Sequence, residues 1–365
     1  MLDLPDSRAR DREGLAKIFR YFGEIETPRL QSAVYTAYSL GIAEDDELLA
    51  LAAKIDPGQP APNVFYAAVQ DLLLEDSDRS PEAKALSAYY PAVSGGVIPS
   101  ESPMSVFRAF CHVHAGQLEH NLRTGRTQTC VVHRCAVVLP GLASLPRVEK
   151  AGGRVGLLEI GPSAGLNLRL DRYRYEYAGE EGRSVSWGDP EAKPLLNCEL
   201  RGEALPPVLP KLEVVARRGV DLNPIDLEDP RALRWLRALI WPEHVARSRL
   251  MDEALAHEAE APIEIEAGDA TRDMETQIAK LPADAPRVLF ATHVVYQIPR
   301  EGLLAMLDGI ARASQSAPVD LLIMESSGQG DSQLEWFAFA EGERKSRRVL
   351  AHSDSHGRWL DWGRE

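Results

Sequence analysis

The character of the sequence changes at Ala151-Gly152-Gly153, and this change limits the fold more than any other feature. After these residues, short apolar runs alternate with amphipathic stretches of helical spacing. That alternation is typical of an α/β domain built on a mostly parallel sheet. The predicted strands are Val155–Ile160, Leu212–Val215, Ile263–Glu266, Val288–Ala291 and Leu321–Met324.

Two further segments of this region depart from the alternation. Residues 173–210 form an insertion rich in Tyr, Gly and Pro, which predicts a small hairpin. Near the end of the chain, Trp336–Phe339 and Arg358–Trp362 have the pattern of strands. We expect them to pair antiparallel through a turn at 353–357.

The first 150 residues have a helical pattern instead. Leu15, Ile18 and Phe19 fall at positions i, i+3 and i+4, which is the spacing of one face of a helix. A single hydrophobic core rarely serves more than roughly 250–300 residues, and this chain has 365. We therefore expect an N-terminal all-helical domain at 1–150 and an α/β domain at 151–365.

The first predicted strand ends in a glycine-containing turn, Glu159-Ile-Gly-Pro-Ser-Ala-Gly165, followed by the helical run Leu166–Asp171. Glycine permits a tight turn and lets a ligand come close to the backbone. The N-terminus of the following helix offers unpaired N–H groups to an anion. The order of strand, turn and helix is the context in which such a motif predicts nucleotide binding.

The same seven residues resemble two known motifs. Glu159, Gly161 and Gly165 match the first motif of Rossmann-like methyltransferases, with Ser163 in place of its middle glycine. The run Gly-x-Ser-x-Gly also matches the nucleophile elbow of α/β-hydrolases, in which Ser163 would be the nucleophile. The helical region before the strand favours the methyltransferase motif, because a hydrolase has several strands there. A turn that only packs a helix on a strand is the third alternative.

Acidic residues follow the next predicted strands. Asp221 lies where methyltransferases place a carboxylate that accepts hydrogen bonds from the ribose hydroxyls. It comes 56 residues after Gly165, where roughly 20 are usual, and the insertion at 173–210 accounts for the excess. Asp269-Ala270 follows the third strand, where the same fold faces the adenine amine. Each Asp also has a simpler alternative role, in a turn or as a helix N-cap.

His293 follows the fourth strand, where methyltransferases usually place the methyl acceptor. A neutral imidazole can take the proton of a nucleophile as it attacks the methyl group, which is general-base catalysis. A structural hydrogen bond is the simpler role. The carboxyl ends of these strands meet at the switch point of a doubly wound sheet. The sequence thus predicts a Rossmann-like, methyltransferase-type α/β fold that binds S-adenosylmethionine and acts on a small molecule.

Three segments resemble one bacterial family. They are the run from Leu158 to Tyr173 with its Gly-Pro-Ser-Ala-Gly-Leu-Asn-Leu core, Thr127-Gln-Thr129, and His356–Trp362. Together they are similar to the uncharacterised family known as domain of unknown function 2332, over nearly the whole chain. The resemblance implies a methyltransferase-like Rossmann domain behind a helical region and carries no established activity. Where that family tends to have Asn-Glu, this chain has Cys130-Val131, whereas Arg134 is retained.

A zinc site is a weaker hypothesis. Cys111-x-x-His114 and Cys130-x-x-His133 have a spacing found in zinc proteins. However, Cys111 and His114 lie on an apolar helical stripe, and no Gly or Pro knuckle flanks either pair. Helix packing is therefore preferred, and no metal is expected.

Two functional alternatives to a methyltransferase stay open. His352 or His356, oriented by Asp269 or Asp320, could complete a catalytic triad on Ser163 in the hydrolase order. A non-catalytic nucleotide-binding or scaffold protein would use the same glycine turn without chemistry.

Composition limits the partners. Lys and Arg total 41 against 55 Asp and Glu, so the net charge of −14 would repel a nucleic-acid backbone. No run of about 18 apolar residues predicts a membrane span, and the start lacks a signal-peptide pattern. Four cysteines fit a reducing compartment. We expect a cytoplasmic protein with a small-molecule substrate and with neither a nucleic-acid nor a membrane partner; the sequence does not define its oligomeric state.

Overall fold

The computed structural model describes residues 5–257 and 260–364. The chain divides into two compact units, Met1–Thr129 with Asp226–Ser248 and Cys130–Ile225 with Arg249–Glu365. They are called the first unit and the second unit below. The expected domain boundary at residue 150 stays a prediction.

The helices begin soon after the start of the described chain. The α-helices are α1 (Arg12–Tyr21), α2 (Thr27–Arg29), α3 (Ala33–Ile42), α4 (Asp46–Ala52), α5 (Ala61–Glu75), α6 (Pro81–Ser87), α7 (Pro91–Ser94), α8 (Met104–Val113), α9 (Ala115–Thr124), α10 (Cys135–Ala143), α11 (Pro146–Lys150), α12 (Pro230–Ala238), α13 (Val245–Leu255), α14 (Ala270–Ala279) and α15 (Arg300–Ala313). Tighter or wider helical turns occupy Phe22–Glu26, Val132–Arg134, Leu166–Arg172, Glu180–Gly182 and Val295–Gln297.

The strands lie in the second unit. They are β1 (Arg154–Ile160), β2 (Arg174–Ala178), β3 (Ser184–Trp187), β4 (Leu195–Arg201), β5 (Glu213–Asp221), β6 (Glu264–Ala267), β7 (Arg287–Thr292), β8 (Val319–Ser326), β9 (Ser332–Ala340), β10 (Glu343–Ser353) and β11 (Trp359–Trp362).

The first unit is built from helices that cover an aromatic core. Asp11 begins α1 as its N-cap, where its carboxylate accepts a hydrogen bond from the Gly14 N–H at 2.9 Å. The face of α1 that the sequence predicts, Leu15, Ile18 and Phe19, is buried. The apolar periodicity of the sequence therefore accounts for this helix of the first unit.

The second unit contains one mixed sheet with the strand order β3-β2-β4-β11-β10-β9-β8-β7-β1-β5-β6. The strands β6, β5, β1, β7 and β8 are neighbours and pair parallel. In chain order they are the third, second, first, fourth and fifth strands of this parallel block. From β1 the strands are added towards one edge of the block as far as β6, and from β7 they are added towards the other edge. The switch point therefore lies between β1 and β7, at the carboxyl ends of these two strands.

The core of the parallel block lies between the sheet and the helices α14 and α15. Leu158 of β1, Leu289 of β7 and Leu321 of β8 are buried in one cluster with Met274 and Ile310 of the two helices. These strands have near-continuous apolar sequences because helices cover parallel strands. The α/β fold with a large, mostly parallel sheet is thus confirmed.

The predicted strands of the parallel block are present, whereas the pairing predicted near the end of the chain is wrong. The strand predicted at Trp336–Phe339 is part of β9, and β9 pairs antiparallel with β10 instead of with β11. β11 pairs antiparallel with residues 351–353 of β10 and parallel with β4. β10 was not predicted, since its run Arg344-Lys-Ser-Arg-Arg348 has no apolar alternation.

The segment that follows β1 also differs from the prediction. Leu166–Arg172 forms a 3₁₀ helix, interrupted at Arg169, in place of a regular helix. The insertion then contributes β2 and β3 as an antiparallel hairpin, and β4 returns parallel to β2. The insertion is therefore a part of the sheet rather than a separate excursion.

We expect Gly153→Ala to be far less stable than Gly152→Ala. Both glycines have positive φ, +84° and +64°, so either alanine carries a backbone strain of about 1–2 kcal/mol. A Cβ at position 153 would lie 1.9 Å from the Lys211 carbonyl oxygen, whereas a Cβ at 152 meets nothing within 4 Å. This overlap should lower the free energy of unfolding by roughly 1–3 kcal/mol more. Urea unfolding measures the difference, and equal losses in the two variants would contradict this close approach.

Candidate functional site

Arg134 is the central charged residue of the site at the carboxyl ends of β1, β7 and β8. Its Nε donates a hydrogen bond to the Ser355 carbonyl at 2.9 Å, and its Nη1 donates to the Thr292 carbonyl at 3.0 Å. Thr292 ends β7, and Ser355 lies in the turn between β10 and β11. Burial lowers the pKa of Arg134, but a guanidinium remains charged. Two hydrogen bonds therefore hold the positively charged guanidinium of Arg134 beside the switch point.

Glu159, the acidic residue of the glycine motif, is buried near this cation. It is 1% exposed, and its Oε1 accepts a hydrogen bond from Asn167 Nδ2 at 3.2 Å. Its Oε2 has no hydrogen-bond partner among the described residues. Burial raises the pKa of Glu159 well above its usual range, while Asn167 and the charge of Arg134 oppose that rise. The site thus holds a carboxyl group with one unused oxygen.

The turn after β1 has the conformation expected of a glycine motif. Gly161, Ser163 and Gly165 have φ of +66°, +58° and +70°, in the left-handed region. A Cβ on Gly161 would lie 2.5 Å from Cγ2 of Val294, and a Cβ on Gly165 would lie 2.9 Å from Cδ1 of Ile265. These glycines therefore make room for apolar side chains of the chain itself. Contact between this turn and a ligand stays a prediction.

Asp221 lies beside the same turn. Its Oδ2 accepts a hydrogen bond from the Ser163 N–H at 2.9 Å, and its Oδ1 accepts one from the Asn223 N–H at 2.8 Å. The end of β5 is thereby tied to the turn after β1, 58 residues earlier. Both carboxylate oxygens of Asp221 thus accept backbone hydrogen bonds. The structure thus places Asp221 next to the motif despite the unusual spacing.

Asp269 is the N-cap of α14. Its Oδ1 accepts hydrogen bonds from the Thr271 N–H at 2.9 Å and the Thr271 hydroxyl at 2.7 Å. These hydrogen bonds lower its pKa. Ala270 is the first residue of the helix. Asp269 therefore has the helix N-cap role that the sequence analysis gave as its simpler alternative. Adenine binding by Asp269 and Ala270 stays a prediction.

His293 has a constrained backbone and a neutral ring. Its φ is +54°, and its N–H donates to the Met324 carbonyl at 2.8 Å. Ring atom Nε2 lies 3.0 Å from the Ser332 hydroxyl. Burial and then the charge of Arg134 lower the pKa of His293 to about 4, against the opposing effect of Asp354. His293 is therefore uncharged at neutral pH, and its catalytic role stays a prediction.

Glu325 completes the site. Its Oε1 accepts hydrogen bonds from the N–H groups of Val294 at 2.7 Å and Val295 at 2.6 Å. Its Oε2 is buried without a hydrogen-bond partner among the described residues and lies 4.0 Å from His293 Nδ1. Burial raises the pKa of Glu325, although these backbone N–H groups and Arg134 oppose the rise. We call Arg134, Glu159, His293 and Glu325 the Arg134 site.

Sequence reasoning missed Glu325 and Asn167 and gave Arg134 no role. Glu325 directly follows the fifth predicted strand, so the rule that functional groups gather at carboxyl ends could have identified it. Asn167 lies within the Gly-Leu-Asn-Leu motif, but its contact with Glu159 needs the 3₁₀ turn. No local pattern around Arg134 indicates that it reaches Thr292 and Ser355.

The histidines of the alternative hypotheses have partners of their own. His352 Nδ1 lies 2.9 Å from Asp331 Oδ2. His114 contacts the Ser80 hydroxyl through Nε2 at 2.9 Å and Gln117 Oε1 through Nδ1. Residues 5–257 and 260–364 contain no cluster of three or more His, Cys, Asp or Glu that could hold a metal ion. Across those same residues, no helix is both long and apolar enough to span a membrane.

We expect His293→Asn to remove a part of the acid sensitivity of the fold. The native pKa of about 4 lies below the ordinary 6.5, so the unfolded chain binds the proton first and stability falls as the pH drops below about 6.5. Between about pH 7.5 and pH 5 this loss is roughly 2 kcal/mol. Asn also tolerates positive φ.

Urea unfolding of wild type, His293→Asn and the control His120→Asn at both pH values tests this expectation. His120 is exposed, and its replacement should leave the pH dependence as in wild type. A His293→Asn profile that parallels wild type would contradict a lowered pKa at this site.

Comparison with known proteins gives one family. Neither a curated protein nor a solved structure matches the chain. The model of a family described as "Uncharacterized protein conserved in bacteria (DUF2332)" matches residues 16–362. Because this match spans nearly the whole sequence, the chain belongs to that bacterial family.

Proposed function

We propose that this chain is an S-adenosylmethionine-binding, methyltransferase-like protein that acts on a small molecule. In this proposal the parallel block is a Rossmann-like, methyltransferase-type doubly wound sheet, and residues 1–150 form an N-terminal helical domain. The ligand lies at the carboxyl ends of β1, β5, β6 and β7.

One observation carries the proposal. The left-handed turn at Gly161, Ser163 and Gly165 follows the first strand of a parallel block whose spatial order is third, second, first, fourth, fifth. Ligands of doubly wound sheets bind outside the carboxyl ends of the strands at this switch point. Asp221 ends the second strand of the block and Asp269 follows the third, so both lie at strand ends where an adenosyl ligand would bind.

The residues present suit an adenosyl ligand with an amino acid tail. Asp221 is partly exposed, and a carboxylate is the type of group that accepts hydrogen bonds from ribose hydroxyls. Glu159 Oε2 is a buried acceptor without a partner. When bound, S-adenosylmethionine supplies an electrophilic methyl group. Glu159 and Asp221 would hold this ligand, with Asp269 and Ala270 beside its adenine.

His293 is suited to receive a proton from the methyl acceptor. When Nε2 donates to the Ser332 hydroxyl, Nδ1 carries a lone pair. Nδ1 makes no hydrogen bond within the described chain and lies in the Arg134 site. The neutral ring can therefore accept a hydrogen bond from a hydroxyl or amine, although a pKa of about 4 makes it a weak base.

Calorimetry of the full chain with S-adenosylmethionine, S-adenosylhomocysteine and NAD tests the proposal. We expect the two adenosyl ligands to bind and NAD not to bind. Asp221→Asn should weaken adenosyl binding by roughly 1–3 kcal/mol, the usual effect of losing hydrogen bonds to a charged group.

The matched control is Asp189→Asn, because exposed Asp189 also accepts a local backbone hydrogen bond, from the Glu191 N–H at 2.8 Å. Its binding should equal that of wild type. If neither adenosyl ligand binds folded protein, the non-catalytic scaffold alternative replaces the methyltransferase proposal.

Ser163 distinguishes this proposal from a serine hydrolase. We expect Ser163→Gly to stay folded and to keep or improve adenosyl binding, because glycine adopts φ near +58° without strain. We also expect wild type treated with a fluorophosphonate probe to keep its unmodified intact mass. In a hydrolase the probe would label Ser163 covalently. A stoichiometric adduct that Ser163→Gly lacks would overturn the methyltransferase assignment.

A further inference from the structure

The Arg134 site contains hydrogen-bonding capacity that the protein does not use. The two hydrogen bonds of Arg134 involve Nε and Nη1. Its Nη2 makes no hydrogen bond to any described residue. Arg134 is half-buried, so this side of the guanidinium is within reach of a bound molecule.

Two carboxyl groups near Arg134 are also only half satisfied. Glu159 Oε2 and Glu325 Oε2 are buried and lack partners within residues 5–257 and 260–364. Neither group forms an ion pair with Arg134 within the described chain. Burial raises the pKa of both, and the charge of Arg134 opposes that rise. Buried polar atoms are nearly always satisfied in proteins. The two unpaired carboxyl oxygens, together with the unused Nη2 donor of Arg134, therefore indicate a ligand-binding site.

We propose that the Arg134 site binds an α-amino-carboxylate group. The ligand carboxylate accepts hydrogen bonds from Arg134 Nη2, and the ligand ammonium donates to Glu159 Oε2 and Glu325 Oε2. As far as the ligand is an adenosyl compound, the inference rests on the function proposed above.

The charges of the site favour this class over others. A phosphate or a dicarboxylate would bring two negative charges next to Glu159 and Glu325, with a single cation to balance them. A simple cation could pair with Glu159 and Glu325, but it has no acceptor for Arg134 Nη2. A zwitterion carries one charge of each sign at the short spacing of one carbon atom, and so it complements both parts of the site.

The α-amino-carboxylate group can come from two sources. It is either the tail of S-adenosylmethionine or a free amino acid that binds as the acceptor. Calorimetry of the full chain with S-adenosylmethionine, decarboxylated S-adenosylmethionine, 5′-methylthioadenosine and free amino acids distinguishes the two. Decarboxylated S-adenosylmethionine keeps the amine and lacks the carboxylate, whereas 5′-methylthioadenosine lacks both.

If the tail is the source, S-adenosylmethionine should bind about 10–100-fold more tightly than either truncated compound. If a free amino acid is the source, at least one should bind whether or not the adenosyl compounds do. In the first case, Arg134→Lys and Glu159→Gln should reduce the preference for S-adenosylmethionine over the truncated compounds about 10-fold or more. In the second case, both variants should weaken amino acid binding by the same factor. Glu159→Gln keeps the shape of the side chain, so it tests the site even if Arg134→Lys fails to fold.

The matched controls are Arg344→Lys and Glu203→Gln, since both residues are exposed. Their affinities should equal wild type. Equal binding of S-adenosylmethionine and 5′-methylthioadenosine, without amino acid binding, would overturn this inference and leave the proposed function standing. Amino acid binding without adenosyl binding would support the inference and reject the proposed function. A preference that survives both site variants, or no binding of any compound, would overturn the inference.

Discussion

A half-buried arginine connects parts of the second unit that are distant in the sequence. Arg134 donates to the carbonyls of Thr292 and Ser355, which are 158 and 221 residues away. The turn that contains Ser355 also packs closely on this segment, because a Cβ on Gly357 would lie 2.6 Å from the His133 carbonyl oxygen. These contacts fix the β10–β11 turn beside the carboxyl end of β7. Arg134 therefore links the candidate site to the antiparallel part of the sheet, in addition to the strand pairing.

The site lowers the stability of the fold that carries it. An unsatisfied buried acceptor costs about 1–3 kcal/mol, and Glu159 and Glu325 each contain one. His293 adds a left-handed backbone that non-glycine residues rarely adopt. Proteins retain such local costs mainly at functional sites, where they are offset by packing elsewhere. Here the apolar cluster around Leu158, Leu289 and Leu321 provides that packing.

The parallel strands were predictable because their signal is local. A buried parallel strand is apolar along its length, as in Val288–Ala291, and its partner does not need to be known. β10 lacked such a signal because its Arg- and Lys-rich residues are those of a partly exposed strand. The 3₁₀ turn at Leu166–Arg172 was also missed, since its apolar residues are compatible with a regular helix. Candidate site residues at strand ends could be listed, but their mutual contacts could not.

The sequence by itself determined the helical pattern of the N-terminal region, the strands of the parallel block, the glycine turn after β1 and the bacterial family, because each depends on residues close together in the chain. Only the tertiary structure decided that Asp221 binds the Ser163 N–H and that Glu325 adjoins His293. It also decided that Arg134 meets the end of β7. These contacts join strands that are neighbours in the sheet but distant in the chain. Strand order and register determine them, and neither propensity nor periodicity contains that information.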